Sequence, residues 1–170
     1  DGTPIINGAS GYSETGFAAT AGKHYPAGVY NMYVGREPRF YASINFNGQQ
    51  WRGRQLEFWQ GGKDGINVSK VDYCCTGYLL RKTADEGVDV INGMKEASIL
   101  FRVGSLYLDY AEALNEAEGP VDDVYKYVDA IRKRAGLPGL AKGLDKDKMR
   151  ERIQHERQIE LAFEAGHRYF

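Results

Sequence analysis

Cysteine, histidine and any excess of one charge are scarce in this chain, and each scarcity excludes a class of function. Of 170 residues, 2 are cysteines and 3 are histidines. The cysteines are neighbours, Cys74 and Cys75, so they form neither a Cys-x-x-Cys redox pair nor a zinc arm, and a disulfide between them would be strained. Both are expected to be small buried side chains. His24, His155 and His167 are too scattered to make a metal set, and no Ser or Cys sits in a recognisable nucleophile elbow. No apolar run approaches the roughly 18–20 residues that a membrane-spanning helix needs. With 22 Lys and Arg against 23 Asp and Glu, the formal net charge is −1. That leaves no basic footprint for nucleic acid and no basic face for a membrane surface, so no nucleic-acid partner is expected. Asp64, Asn67, Asp72, Asp85 and Asp89 could offer oxygens to a hard cation such as calcium, but their spacing fits no EF-hand loop and no cofactor is expected.

Glycine and aromatic residues are plentiful: 21 Gly, 12 Tyr, 7 Phe and 2 Trp. Residues 1–35 interleave glycines with Tyr12, Phe17, Tyr25, Tyr30 and Tyr33 and show no sustained period, which reads as surface loops pinned by aromatic rings. Phe40, Ala42, Ile44 and Phe46 alternate with more polar neighbours at the period of a half-buried strand. Asn47-Gly48 follows as a two-residue hairpin turn, with a return strand expected from Gln49-Gln50-Trp51. Tyr73 to Lys82 is a further strand or extended segment, and residues 98–103 read as extended.

The stretch from Phe101 to Phe170 is helical in period. Leu106, Tyr107, Tyr110, Ala111 and Leu114 form one apolar stripe that stops at Gly119-Pro120. Val121, Val124, Tyr125, Val128 and Ile131 form a second. Asp122 and Asp123 stand at its positive N-terminal end, Arg132, Lys133 and Arg134 stand at its negative C-terminal end, and Gly136 closes it. Leu137 then reads as a docking residue. The third helix begins at Asp145, a plausible N-cap, and is expected to bury Met149, Ile153, Ile159 and Phe163 and to end near Gly166. Glu156, Arg157, Glu160 and Glu164 line its adjacent face.

Four segments in this order resemble the C-terminal half of the SusD/RagB family: Tyr110-Ala111-Glu112-Ala113-Leu114-Asn115, Ile131 to Pro138, Glu156 to Glu164, and His167-Arg168-Tyr169-Phe170. Asp1-Gly2-Thr3-Pro4, Arg36 to Ile44 and Thr76 to Lys82 extend the resemblance over nearly the whole chain. It implies a mainly α-helical SusD-like fold with Gly- and aromatic-rich loops and a short β-hairpin, residues 1–97 carrying loops and hairpin and 98–170 the helices. It also implies that the chain is a fragment, with a tetratricopeptide-like N-terminal half and a lipidated Cys lying elsewhere. The implied role is non-catalytic capture of glycans at the extracellular face of a bacterial outer membrane. The glycan would then pass to a SusC-like TonB-dependent transporter, although some relatives are expected to handle peptides or glycoproteins.

The resemblance transfers no binding residue, so candidates come from chemistry. Sugar rings present apolar faces to flat aromatic side chains and hydroxyls to amides or guanidinium groups. Trp51 and Trp59, with Gln50 and Arg52 beside the first, are the candidate ligand-binding residues; the alternative for each Trp is a core plug. Glu156, Glu160 and Glu164 invite a glycoside-hydrolase reading, since paired carboxylates cleave glycosidic bonds. Arg132, Arg134, Arg157 and Arg168 offer them ion pairs instead, so the structural reading is preferred and no catalytic residue is expected.

Overall fold

The computed structural model describes residues 8, 10–66, 73–84, 86, 87 and 101–164. They fall into two compact units, one within Thr3–Glu96 and one within Ala97–Phe170. The fold is mainly helical with small two-stranded sheets, and no helix among the described residues is long and apolar enough to cross a membrane.

The first unit holds a 3-10 turn at Asn31–Tyr33, helix α1 (Pro38–Ser43) and strands β1 (Ile44–Phe46), β2 (Gln50–Trp51), β3 (Arg54–Gln55) and β4 (Tyr78–Leu80). The alternating segment expected to be a strand from Phe40 is helical as far as Ser43. Pro38 occupies its first turn, where the missing N–H is harmless and the fixed φ suits a helix. Only Ile44–Phe46 is extended, and its partner is not the segment after Asn47-Gly48. β1 pairs antiparallel with β4, Ile44 opposite Leu80 and Phe46 opposite Tyr78. The two-residue hairpin lies one turn later, at Arg52-Gly53 between β2 and β3. Both of its turn residues have positive φ, 49° and 77°, as a type I′ turn requires. At Asn47-Gly48 only Gly48 does, with φ 85°. Asn47 is instead held by accepting the Phe58 N–H at its Oδ1 at 2.8 Å.

Aromatic packing holds this unit together. Tyr33, Tyr41 and Phe46 are buried with Val29, and the Tyr33 and Phe46 rings are 4.6 Å apart. The Tyr41 hydroxyl donates to Tyr33 O at 2.5 Å and accepts the Arg36 N–H at 3.0 Å, which satisfies a polar tip inside the core. Burial pushes both tyrosine hydroxyls up from their usual pKa. A smaller cluster joins Leu56, Phe58 and Cys74, with Trp51 packed on its edge. Cys74 is buried as expected; Cys75 is exposed, and both thiols are free.

The second unit is a three-helix packing of α2 (Val103–Glu118), α3 (Asp122–Arg134) and α4 (Lys146–Glu160), with α2 against both others. Each end has a local cause. Gly119 takes φ 83° and donates to Asn115 O at 2.9 Å, stopping α2. At the end of α3, Gly136 N–H reaches Lys133 O at 3.0 Å and Leu137 N–H reaches Arg132 O at 2.9 Å. Those two bonds make a Schellman motif, and Leu137 is buried beyond it. Asp145 caps α4 by accepting the Lys148 N–H at 2.8 Å.

Leu108, Ala111, Val124, Tyr125, Val128, Ile131, Met149, Ile153 and Leu161 form the helical core. The stripe read from the sequence of α2 is corrected here, since Leu106 and Tyr110 are exposed and Ser105 and Asn115 are fully buried. Ser105 Oγ donates locally to Arg102 O at 2.8 Å, whereas Asn115 Nδ2 donates across to Lys146 O at the start of α4 at 3.1 Å, its buried Oδ1 having no protein partner among the described residues. α4 also ends earlier than expected, at Glu160. Leu161 is buried and Phe163, an expected core residue, is exposed with a left-handed φ of 67°. Ile159 is half-buried, residues 98–100 and Gly166 lie outside the described residues, and Arg102 is extended before α2 starts.

Candidate functional site

Two cavities of the first unit take up two of the candidate residues, Trp59 in one and Gln50 in the other. One, of about 350 Å³, is lined by Phe17, Gly28, Val29, Tyr30, Asn47, Gly48, Gln55 and Trp59. The other, of about 550 Å³, is lined by Gly22, Lys23, His24, Tyr25, Pro26, Pro38, Tyr41, Ala42, Gln49, Gln50 and Arg81. Their rims meet in the chain at Gly48 and Gln49, whose Cα atoms lie one residue step apart, about 3.8 Å.

Trp59 stands on the smaller cavity and is 51% exposed. Beside it are Phe17 at 61% and Tyr30 at 40%, their rings 4.5 Å apart and inclined by 30°. An antiparallel bridge between Phe17 and Tyr30 fixes this pair, and Ala18 N–H to Val29 O at 2.8 Å continues it. Three water-facing aromatic rings around a concavity are unusual, because large rings are normally buried. The remaining polar side chains on this rim are the amides of Asn47 and Gln55, and among the described residues no charged side chain lines it. Phe17 and Tyr30 were read from the sequence only as loop pins. The signal available was an aromatic at each mouth of a glycine-containing loop, but their pairing is non-local.

Gln50 is exposed and lines the larger cavity, so it does not join Trp59. Trp51 is half-buried against Leu56, Phe58 and Cys74, nearer the core-plug alternative. The Arg81 guanidinium lies over its ring at 5.1 Å from the centroid, and Arg52 lies at 6.0 Å. Arg52 is exposed at the hairpin tip and lines neither cavity. Arg81 is fixed from three sides: Nη1 donates to Tyr41 O at 2.9 Å, Nη2 donates to Glu86 at 2.7 Å, and its plane rests on Trp51. His24 stacks on Tyr41 with centroids 4.9 Å apart. Of the residues considered for a hard cation, Asp64 is committed to Arg54 and to the Glu57 N–H, and its bonds hold the Arg54 guanidinium above its usual pKa. Asn67, Asp72, Asp85 and Asp89 lie outside the described residues.

The glutamates of α4 form an ion-pair network. Glu156, 1% exposed, accepts from Arg132 Nη1 at 3.0 Å; Glu160, 2% exposed, accepts from Arg102 at 2.7 Å and Arg134 at 2.5 Å. Glu164 takes a two-pronged bond from Arg102 Nε and Nη2, both 2.8 Å, while Arg157 reaches Asp109 at 2.6 Å and Glu112 at 3.0 Å. These bonds raise the Arg102 pKa, Glu164 contributing most. Arg102 was missed as a partner because it precedes α2, far away in sequence. Arg168 lies outside the described residues. The carboxylates are therefore aimed at guanidinium groups, and neither cavity is lined by them.

The family model for the SusD family matches residues 3–170. The chain belongs to the SusD family. Two curated relatives from Formosa agariphila are similar to parts of it. SusD-like protein P25 is 40% identical over 74 residues, which is 42% of this chain and 14% of that protein. SusD-like protein P2 is 37% identical over 82 residues, 43% of this chain and 16% of that protein. The crystal structure of a SusD-like protein from Bacteroides fragilis superposes with a TM-score of 0.71 at 35% identity, covering 82% of this chain and 28% of that one. This SusD-family chain thus spans less than a third of the solved relative's length.

Proposed function

We propose that this SusD-family chain is part of a surface protein that captures glycans without cleaving them and hands them to a SusC-like TonB-dependent transporter. Family members are generally glycan-binding, non-catalytic nutrient-uptake proteins associated with the outer membrane, and the match over residues 3–170 carries the reading. Lipid anchoring at the extracellular face belongs to the same proposal.

Within the chain, support comes from Phe17, Tyr30 and Trp59 on an uncharged cavity with the amides of Asn47 and Gln55. Exposed rings stack on the C–H faces of sugars, and amides both donate to and accept from hydroxyls. Of the four residues singled out in the sequence, Trp59 is retained for this site. Trp51, Gln50 and Arg52 remain secondary candidates.

The test is a glycan-array screen of the full-length protein that reads binding and reducing-end release together, with Trp59→Ala and Trp51→Ala alongside. Binding without release is expected, weakened about tenfold or more by Trp59→Ala. A product ladder from mixed oligosaccharides would sink the reading in favour of hydrolysis. Binding confined to peptides or glycoproteins would move the substrate class while retaining capture.

A further inference from the structure

We propose that the larger cavity is a second subsite, selective for an acidic group, so that the captured glycan carries a uronate or a sulfate ester. This rests on the capture reading and specifies its substrate class.

Three observations lead to it. First, the charged groups lining this cavity include Lys23 and Arg81, and neither Asp nor Glu lines it among the described residues. In a chain with near-equal acid and base, a cationic concavity concentrates positive potential where a ligand anion would sit. Second, Arg81 is preorganised: its bond to Tyr41 O and the Trp51 ring beneath it fix its plane before any ligand arrives. A guanidinium has five N–H donors, so the bonds to Tyr41 and Glu86 leave capacity for an oxyanion. Glu86 is the competing acid; it is bonded through an exposed carboxylate, which an incoming anion can displace at little loss. Third, the rest of the lining is suited to a sugar. Gln50 is exposed, and His24 stacks on Tyr41, so an amide and aromatic rings stand beside the cationic groups.

The smaller cavity has a different character, three aromatic rings and, among the described residues, no charged lining side chain, and its Gly48 precedes Gln49 of the larger cavity in the chain. A ligand in the larger cavity presents its anion toward Lys23 and Arg81.

The experiment is calorimetric titration of the full-length protein with matched pairs: oligogalacturonate and its methyl ester, then a sulfated galactan oligosaccharide and its desulfated form. Each is run at low and high salt, for the native protein and for Lys23→Glu and Arg81→Lys. Lys23 is exposed, so its variant is expected to fold, which circular dichroism checks. The expected result is that one acidic form binds about tenfold tighter than its neutral partner, as one charge-assisted contact supplies. Salt should erode that preference, and Lys23→Glu should abolish it while neutral binding persists. The pair showing the preference tells carboxylate from sulfate. Equal binding of acidic and neutral partners, or a preference indifferent to both variants, would overturn the subsite and leave capture standing. No binding of any of the four glycans would overturn the subsite, while capture itself stands or falls on the array screen.

Discussion

Glu160 is buried between two guanidinium groups, Arg102 and Arg134, and that position decides what its removal does. Glu160→Gln leaves Arg102 facing a neutral amide in a partly desolvated site. Breaking a buried pair from one side typically costs about 3 kcal/mol. A urea melt should show that loss, whereas Glu151→Gln, on the exposed face of α4, should stay within about 0.5 kcal/mol. A hydrolase would instead lose turnover with its stability unchanged. Glu116 and Asp145 extend the logic to pH. The Arg150 guanidinium holds the Glu116 carboxyl below its ordinary 4.5, and bonds from Lys148 hold Asp145 below 3.8. A carboxylate depressed in the folded state stabilises it above its unfolded pKa, and that stability is lost as pH falls through the folded value. The urea midpoint should be flat near neutrality and fall below about pH 4.5, with Glu116→Gln flattening the decline. A midpoint that rises on acidification would contradict these pairings.

The ends of the helices are short-range events. Gly136 has φ 77° at the turn after α3, a region L side chains enter with strain. Gly136→Ala should therefore destabilise by about 1 kcal/mol, read from the shift in thermal midpoint. The same locality explains which elements were legible. The Gly119 stop, the Asp145 cap and the Ala135-Gly136-Leu137 turn all depend on residues within a few positions of one another. β1 was not legible as built. Its alternation was real, but Pro38 nucleates a helical turn upstream, and its partner is β4, beyond the loop at Gly61, Gly62 and Gly65. Nor does helical period alone say which of two adjoining faces turns inward. Ser105, small and bonded to Arg102 O, and Asn115, bonded across to Lys146 O on α4, are turned inward, and Leu106 and Tyr110 are left outside.

At the scale of the whole molecule, the exposed stripe Val103, Leu106 and Tyr110 on α2 has consequences for handling. These positions recur at helical spacing, so they present one apolar strip to water. The isolated 170-residue chain is expected to associate as its concentration rises, and Val103→Lys with Leu106→Lys should reduce this in sedimentation velocity. Association unchanged by the pair would exclude the strip as its cause. The candidate site was only partly legible. Trp59 and Gln50 lie on neighbouring cavities, but Phe17 and Tyr30 were recruited through a bridge that their spacing did not reveal.

By itself the sequence determined the three helices of the C-terminal unit, the stops of the first two at Gly119 and Gly136, the Asp145 cap of the third, the acid-and-base pairing along α4, and the family. Each depends on local chemistry or on motifs read in order. Tertiary structure alone decided the buried face of α2, the partner of β1, the recruitment of Arg102 to Glu160 and Glu164, and the separation of Trp59 from Gln50 and Trp51. Those outcomes join residues far apart in the chain, and packing between elements selects among arrangements that local periodicity leaves equal.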